Sequence, residues 1–329
     1  MLARIPQEAS NLAERRKHSL LFRDPPAHTR LRGLVNLAFT PRTVERLRPH
    51  IAAIADELLD RALEHAPAAF DLIRDVAFPL PIIVISELLG VPPEDRERFK
   101  AWSTDLTRGL EPSATADDLE LVTRAIDDLD GYMRAVIEER RRDPRHDLVS
   151  ELVRAHEADD ALSMEELLAT CRLILTAGHE TTVNLIGNGA LALLRHGDPR
   201  APITDATIEE LLRFDSPVQM TMRFAFEDTE VGRHTIKAGD LVILVLGAGN
   251  RDPDVFAEPD RLDPARANAD KHLSFGAGIH YCLGASLARL EGALALGALF
   301  RRRPDLAIAG DLSWRRSLVL RGLARFPVA

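Results

Sequence analysis

A cysteine that follows two closely spaced glycines is the residue of this chain best suited to chemistry. The segment Phe275–Gly284 reads FGAGIHYCLG. Gly276 and Gly278 let the backbone turn tightly and present N–H groups that no side chain blocks. Cys282 comes just before a predicted helix, whose amide dipoles favour a thiolate. A thiolate in this place is suited to bind a metal or to attack an electrophile.

Spacing tests three familiar uses of such a segment. A dinucleotide-binding turn needs G-x-G-x-x-G, but Tyr281 stands where the third glycine should be. Covalent haem attachment needs C-x-x-C-H, but the other cysteine, Cys171, is far away, and we expect it to be a small core residue. A zinc site needs more ligands than Cys282 and His280 supply locally. A plain structural loop would leave His280 and Phe275 unexplained.

An acid in the middle of an apolar helix is the second feature. A capping box, Ser163 with Glu166, predicts a helix that continues to about Leu194 and is apolar on most sides. Its middle, 177–182, reads AGHETT. Glycine costs ~1 kcal/mol relative to alanine in a helix, and an acid among apolar residues costs more. A zinc-protease helix is excluded because Val183 stands where its second histidine should be.

Other polar residues carry little information by themselves. Glu210 and Arg213, three apart on a predicted helix, are most simply a surface pair worth a few tenths of a kcal/mol. On spacing alone, His28 and Arg32 belong to a solvated helix face. His272 is most simply an ordinary loop histidine.

Taken together, these segments resemble the motifs of the cytochrome P450 family, the haem-thiolate monooxygenases, from about Ser19 to the C-terminus. The resemblance implies that Cys282 is the axial ligand of the iron of haem b, with Phe275 beside the sulfur and His280 on a haem propionate. Thiolate ligation favours O–O cleavage. The cofactor-binding residues that it implies are His28, Arg32, Ala177, Arg223, Phe275, His280, Cys282 and Gly284.

The same resemblance implies roles outside the loop. Glu180 and Thr181 match the oxygen-binding helix, which the family widens locally, and would relay protons during oxygen activation. Glu210 and Arg213 match the E-x-x-R motif, and Arg261 is expected to complete a structural lock that holds the cysteine loop. The expected substrate pocket is lined by Leu173, Thr176, Val218, Met220, Leu318 and Val319.

The expected fold is mainly α: the cytochrome P450 fold with a long central helix and small β-sheets. Aromatic residues are only 5%, and Ala, Leu, Arg and Glu dominate, which favours helix. Further helices are predicted at 41–65, 116–142, 205–213 and 283–300. Residues 231–236 and 241–246 are predicted to form a hairpin around the turn KAGD, and residues 250–271 an irregular loop.

We expect one haem-binding domain over residues 1–329, lacking the N-terminal helix, strands and pocket-roof loop of the family. The 42 basic and 51 acidic residues give a net charge of −9, which argues against nucleic-acid binding. The chain begins without a secretory signal, and its most apolar run, Val76–Ile85, is shorter than the ~20 residues of a membrane-spanning helix. We therefore expect a soluble, cytoplasmic protein without a membrane partner.

The resemblance implies a bacterial-type monooxygenase that inserts one oxygen atom from O2 into a small apolar organic substrate. Because the chain has no flavin or dinucleotide motif, its electrons are expected from a ferredoxin-type donor with an NAD(P)H-dependent reductase. Arg30 and Arg289 are the expected docking contacts. The alternative is a non-catalytic or peroxide-driven haem protein, altered by loss of the N-terminal segment. The intact Glu180 and Thr181 favour the dioxygen route.

Overall fold

The computed structural model describes residues 7–36, 39–157 and 162–329, and it is mainly helical. The expected fold class, with a long central helix and small β-sheets, is confirmed. The helices are α1 (Gln7–Arg16), α2 (Ala27–Asn36), α3 (Pro41–Glu45), α4 (Arg48–His65), α5 (Pro79–Leu88), α6 (Arg96–Arg108), α7 (Ala116–Arg142), α8 (Leu148–Glu157), α9 (Met164–His196), α10 (Asp205–Phe214), α11 (Leu246–Gly249) and α12 (Ala285–Arg302).

The central helix α9 is buried along most of its length and packs against α5, α6, α7, α8, α10 and α12. Its predicted start is confirmed: the Ser163 side chain accepts a hydrogen bond from the Glu166 N–H, and the Glu166 carboxylate accepts one from the Ser163 N–H. Cys171 is buried in this core, and burial raises the pKa of its thiol to about 12. It is an inert core residue, as predicted.

Proline divides one of the predicted helices. The stretch expected to be a single helix over 41–65 is two helices, α3 and α4, separated at Arg46 and Leu47. Pro49 lies in the first turn of α4, where its missing N–H costs nothing. Inside a continuous helix the same proline would remove a hydrogen bond and clash with the preceding turn. The break is therefore caused by Pro49, whose effect cannot be predicted from the spacing of the apolar residues.

The strands form four small antiparallel pairs. They are β1 (Phe70–Asp71) with β8 (Pro327–Val328), β2 (Thr221–Phe224) with β5 (Leu241–Leu244), β3 (Thr229–Val231) with β4 (His234–Ile236), and β6 (Ser313–Trp314) with β7 (Leu323–Arg325). Between them, residues 250–271 are irregular apart from a single helical turn, Ala269–Lys271, in agreement with the sequence.

The predicted hairpin has the wrong partners. Residues 231–236 do not pair with 241–246; instead β3 pairs with β4, and β5 pairs with β2, where Thr221 faces Leu244. The tight turn is at Gly232, whose φ of 61° suits the first central position of a two-residue hairpin loop. The sequence pattern does not predict this turn, because Gly232 lies inside the stretch 231–236, which has the composition of a single strand.

No helix of the described residues is long and apolar enough to cross a membrane.

Candidate functional site

The loop that carries Cys282 has the tight backbone expected from its glycines. Gly276 and Gly278 both have a φ of 70°, a left-handed conformation that residues with a side chain rarely adopt. The Cys282 N–H donates to the Phe275 carbonyl at 2.9 Å, which closes the loop. Gly284 then precedes α12, so Cys282 lies just before that helix.

Burial, rather than the helix dipole, dominates the electrostatics of Cys282. It raises the pKa of the thiol, while the Gly284 N–H and the charges of Arg289 and Arg32 lower that pKa by less. The contact with the Gly284 N–H at the start of α12 acts in the predicted direction, toward the thiolate, but burial outweighs it. A coordinating metal would remove this proton, since the ligand form of cysteine is the thiolate.

A cluster of basic side chains surrounds His280. Its ring lies 4.6 Å from the ring of His28, centroid to centroid. Burial lowers the pKa of His280, and the nearby charges of His28, Arg223 and Arg32 lower it further. His28 is buried, and its Nε2 has no hydrogen-bond partner among the described residues. Such an orphaned polar atom is suited to an anionic group of a ligand.

Arg32 and Arg223 lie in this cluster but already have contacts. Arg32 donates from Nη1 to the Ile279 carbonyl at 3.0 Å and from Nη2 to the Tyr281 carbonyl at 2.7 Å, so it holds the cysteine loop. The expected contact of Arg32 with a haem propionate stays a prediction, and these two bonds place its guanidinium against the cysteine loop. Arg223 is exposed, and its Nη1 donates to the Met222 carbonyl and to Thr221 Oγ1 on its own strand.

Glu210 and Arg213 form a buried, bidentate ion pair rather than a surface pair. Arg213 Nε and Nη2 each donate to the Glu210 carboxylate at 2.7 Å, and both side chains are fully buried. The third member is Arg266, whose Nε lies 3.1 Å from Glu210 Oε2. The prediction of Arg261 is wrong: its side chain is exposed beside Glu258, and only its backbone carbonyl accepts from Arg213, at 3.1 Å.

The buried pair is connected to the cysteine loop by a chain of hydrogen bonds. Arg213 donates to the carbonyls of Asn250 and Pro259 at 3.0 and 2.8 Å. The Asn250 amide donates to Ser274 Oγ at 2.9 Å and accepts from the Leu273 N–H at 2.6 Å. Residues 273 and 274 are therefore fixed immediately before the glycine turns.

A second anchor of the loop was missed in the sequence. His272, expected to be an ordinary loop histidine, is buried with Nε2 3.0 Å from Glu209 Oε2. Arg289 is bound to the same carboxylate at 2.5 Å and lies over the Phe275 ring, 4.5 Å from its centroid. Burial by itself raises the pKa of Glu209, but the hydrogen bonds and charges of Arg289 and His272 lower it by more, to about 2.

These ion pairs also bear on the expected docking residues. The Arg289 side chain is occupied by Glu209. Arg30 is paired with Glu166, at the start of α9. Both arginines therefore hold this chain together, and the interpretation of them as contacts for an acidic partner is not supported by their geometry.

The middle of α9 combines an open face with a buried acid. Ala177 is exposed and Thr181, one turn later, is partly exposed. The Thr181 hydroxyl donates to the Ala177 carbonyl at 2.7 Å, a back-bond that tends to bend helices. The helix is continuous α through these residues, so the expected local widening is not seen. Glu180, in contrast, is 1% exposed.

Glu180 has one cationic partner among the described residues. Arg315 Nη1 lies 2.6 Å from Glu180 Oε2. Burial raises the pKa of Glu180, and the Arg315 charge offsets only part of that rise. Nothing in the sequence pointed to Arg315, because 134 residues of intervening chain separate it from Glu180.

Glu291 is a second buried acid near this segment that the sequence analysis missed. It lies on α12, is 1% exposed, and is hydrogen-bonded to Thr182 of α9. Burial raises the pKa of Glu291 to about 8. The signal was available: an acid within the apolar run LARLEGALAL fits the same argument that singled out Glu180.

The residues proposed for the substrate pocket come from three segments. Val218 and Leu320 form a β-bridge, and the Gln219 N–H donates to the Val319 carbonyl at 2.8 Å, so the 216–221 and 317–321 segments are adjacent. Leu318 is exposed, and its N–H donates to Glu111. Leu173, Thr176 and Met220 are partly buried, with the Thr176 hydroxyl on the Arg172 carbonyl.

An iron porphyrin, the group that the resemblance implies, fits the residues present. Cys282 offers one sulfur ligand, and no three His, Cys, Asp or Glu side chains of the described residues cluster as a metal site of their own. The His28 Nε2 without a partner, with Arg223 and His280 nearby, suits the carboxylates of the porphyrin. Gly276 and Gly278 have no Cβ atoms, so a flat ligand can approach the backbone at these two positions.

Comparison with known proteins agrees with this geometry. The chain matches the Cytochrome P450 family over residues 3–200 and 198–302. It is 48% identical to vitamin D(3) 25-hydroxylase of Pseudonocardia autotrophica and 44% identical to the polyketide biosynthesis cytochrome P450 PksS of Bacillus subtilis (strain 168). Each match covers 94% of this chain and 77% of the relative.

A solved structure extends the agreement to the fold. P450BioI in complex with an acyl carrier protein ligated to hexadec-9Z-enoic acid superposes with a TM-score of 0.92 and 38% identity, over 100% of this chain and 86% of that one. Membership of this family implies an organic substrate, O2 and a redox partner. The chain belongs to the cytochrome P450 family and is a monooxygenase that uses haem b.

Proposed function

We propose that this monooxygenase inserts one oxygen atom from O2 into a small apolar organic substrate, within a single domain over residues 1–329 in the cytoplasm. The observation that carries the proposal is Cys282, held in a closed glycine loop beside the basic cluster of His28, Arg223 and His280. When bound there, haem b would supply the oxygen chemistry, and the Cys282 thiolate would hold its iron. Phe275 and Gly284 shape the loop on either side of that sulfur.

The apolar character of the substrate is supported by the residues proposed to line its pocket. Leu173, Val218, Met220 and Val319 have apolar side chains, and Thr176 uses its hydroxyl within its own helix. Ala177 leaves the middle of α9 open because its side chain is a single methyl group. Relatives named for vitamin D(3) and for a fatty acyl group on a carrier protein are consistent with this class of substrate.

We assign proton delivery to Glu180 and Thr181. The two are adjacent on α9, with Glu180 buried and Thr181 on the partly exposed side. Burial raises the pKa of Glu180, so this acid holds a proton more tightly than a free glutamate and can pass it to a neighbouring hydroxyl. The Thr181 hydroxyl, now donating to the Ala177 carbonyl, can rotate to pass a proton on.

The electrons are proposed to come from a ferredoxin-type donor with an NAD(P)H-dependent reductase, because the chain has no flavin or dinucleotide motif of its own. Turnover with that pair of proteins is compared with turnover on peroxide alone. Product formed only with the redox proteins supports the proposal. Product formed with peroxide alone at an equal rate contradicts the assignment of the electron donor.

The carbon monoxide difference spectrum of the reduced protein tests the ligand. A strongly red-shifted Soret band is expected for the native chain and its loss is expected in Cys282→Ser. Cys171→Ser, a change at the buried core cysteine, is the matched control and should keep the band. A red-shifted band that survives in Cys282→Ser would remove Cys282 as the iron ligand.

A Thr181→Ala variant tests the proton route. It keeps the helix and removes the hydroxyl, so oxygen consumption should continue while a much larger share of it is released as hydrogen peroxide. Thr170→Ala, about three turns earlier on the same helix with its hydroxyl on the Glu166 carbonyl, is the control. Equal peroxide release by Thr181→Ala and the native enzyme would exclude Thr181 from the relay.

A further inference from the structure

The acid of the central helix is held by an arginine from the far end of the chain. Arg315 directly follows strand β6, and its Nη1 lies 2.6 Å from Glu180 Oε2. The exposed fractions of the two side chains are 26% for Arg315 and 1% for Glu180. The pair therefore connects the interior of α9 with the surface of the molecule.

The backbone around Arg315 is fixed against the same face of α9. The Arg315 N–H donates to the Gly322 carbonyl at 3.0 Å, which joins the β6 and β7 segments. A Cβ built on Gly322 would lie 1.8 Å from Asn184 Oδ1, so any larger residue here would force the Asn184 side chain to move. Asn184 and Glu180 are four residues apart on one face of α9. Contact at Asn184 thus places Arg315 one turn away, at Glu180.

The ion pair is only partly satisfied. Arg315 Nη1 contacts Glu180 Oε2 as an ion pair at 2.6 Å, but that contact does not have hydrogen-bond geometry. Both carboxylate oxygens of Glu180 and the Nε of Arg315 are buried without a hydrogen-bond partner among the described residues. A purely structural buried pair is expected to have its remaining donors and acceptors satisfied. A pair held by one contact between Nη1 and Oε2 keeps the carboxylate oriented and leaves its other oxygen free.

Other titratable groups around Glu180 do not replace Arg315. On α9 itself, His179 is buried against Phe78 and Ser103, and burial lowers the pKa of His179 to about 3, so it is neutral. Lys100 of α6 lies over the Phe78 ring. Glu291 of α12 is bound to Thr182. Among the described residues, Arg315 is the charge that acts on Glu180.

We propose that Arg315 is a positioning residue for Glu180: it orients the acid and keeps it able to ionise, so that protons are exchanged with solvent along the Arg315 side of α9. Successive residues of a helix are about 100° apart, so Thr181 faces a different direction from the ion pair. Glu180 thus contacts the partly exposed arginine and is the neighbour of Thr181 in the sequence. This inference rests on the proposed role of Glu180 and Thr181.

Infrared titration of the haem-loaded protein tests the proposal without turnover. The carbonyl stretch of the protonated Glu180 carboxyl is identified as the band lost in Glu180→Gln, and its intensity is followed with pH. In Arg315→Gln the band should titrate at a pH at least one unit higher, a tenfold change in the ratio of protonated to ionised acid. Arg315→Lys keeps the positive charge and should titrate close to the native protein.

Arg316→Gln is the matched control, because Arg316 is the adjacent arginine and is exposed. It should leave the Glu180 band unchanged. If Arg315→Gln does not fold, Arg315→Met, which keeps the apolar stem, takes its place in the titration. An unchanged titration in the Arg315→Gln or Arg315→Met protein would overturn the proposal.

The failure of this inference is distinguishable from failure of the proposed function. An unchanged titration with a native carbon monoxide spectrum rejects Arg315 alone. Loss of the spectrum in the native chain would instead reject the haem site. A shifted titration that Arg315→Lys does not restore would reject the charge of Arg315 as the cause.

Discussion

Two buried glutamates of this chain meet arginine in opposite ways. Glu210 is paired bidentately with Arg213 and also contacts Arg266, and its Oε1 accepts from the Asp263 N–H at 2.8 Å. Glu180 has a single arginine contact, and its Oε1 has no partner among the described residues. Because an unsatisfied buried group is costly, it is kept only where something else requires it. The first pair holds a loop, and the second is suited to exchange protons.

The largest expected effect comes from breaking the satisfied pair. Arg213→Lys removes a planar fork that serves Glu210 and the carbonyls of Asn250, Pro259 and Arg261, which an ammonium group cannot reproduce. We expect the free energy of unfolding to fall by about 3–5 kcal/mol, measured by urea denaturation. Haem content of the purified protein should fall with it, because residues 273 and 274 lose their anchor.

A loss below about 1 kcal/mol would mean that this pair contributes no more than a surface pair does. The Glu210 pair would then not be the structural pair that its hydrogen bonds indicate, and the contrast with Glu180 would be lost.

The matched variants Glu210→Gln and Glu180→Gln sharpen the comparison directly. Each replaces a buried carboxylate by a neutral amide of the same shape. Glu210→Gln leaves Arg213 buried without its charge partner, so we expect a loss of roughly 3 kcal/mol. Glu180→Gln leaves Arg315, which is partly exposed and can be hydrated, so stability should change by less than about 1 kcal/mol. Thermal and urea unfolding of both variants, side by side, measure the difference.

Equal losses in the two variants would show that the Glu180 pair is also structural. In that case its missing hydrogen bonds would have to be supplied by bound water.

A third buried acid, Glu291, extends the comparison to a carboxyl that has no arginine partner among the described residues. Its ordinary pKa is about 4.3, and burial raises it to about 8 in the fold. The folded protein therefore binds this proton more tightly than the unfolded chain. Its contribution to stability is full below about pH 4 and is lost as the pH rises from there toward 8.

Glu291→Gln should remove this pH dependence, making the variant more stable than the native protein at pH 8 and similar to it at pH 5. Urea unfolding across that range measures the effect. Glu64→Gln, at an exposed glutamate of α4, is the control and should follow the native curve. A Glu291→Gln variant that is less stable than the native protein at pH 8 would contradict the raised pKa.

Local signals in the sequence predicted the positions of single residues better than their pairings. Cys282, the start of α9 and the buried acid at Glu180 follow from residue types, capping and apolar pattern, all of which act over a few neighbours. The hairpin partners and the third lock residue depend on which distant segments meet. Arg261 and Arg266 lie in the same irregular loop, and only the folded backbone shows which side chain points to Glu210.

The same limit explains Arg315 and Gly322. Their importance arises from a contact between the C-terminal strands and α9 that no periodicity or motif encodes. Glu291 differs, because an acid within an apolar helix is visible in the sequence.

The smallest effect is expected at Arg261, the residue that the sequence placed in the lock. Its side chain is 64% exposed and lies 3.2 Å from Glu258, itself 73% exposed. Exposed pairs of this kind contribute about 0–1 kcal/mol. Arg261→Gln should therefore change the free energy of unfolding by less than about 1 kcal/mol, while Arg266→Gln, at a side chain 7% exposed, should cost several times more.

The backbone makes this contrast informative. The Arg261 carbonyl accepts hydrogen bonds from Arg213 and from Arg266, each at 3.1 Å, and both bonds survive any change of the Arg261 side chain. The pair of variants thus separates a residue that contributes its carbonyl from one that contributes its guanidinium. If Arg261→Gln proved as costly as Arg266→Gln, the exposed ion pair of Arg261 with Glu258 would have to stabilise the loop backbone. The group of side chains that stabilises the site around Glu210 would then include exposed residues as well as buried ones.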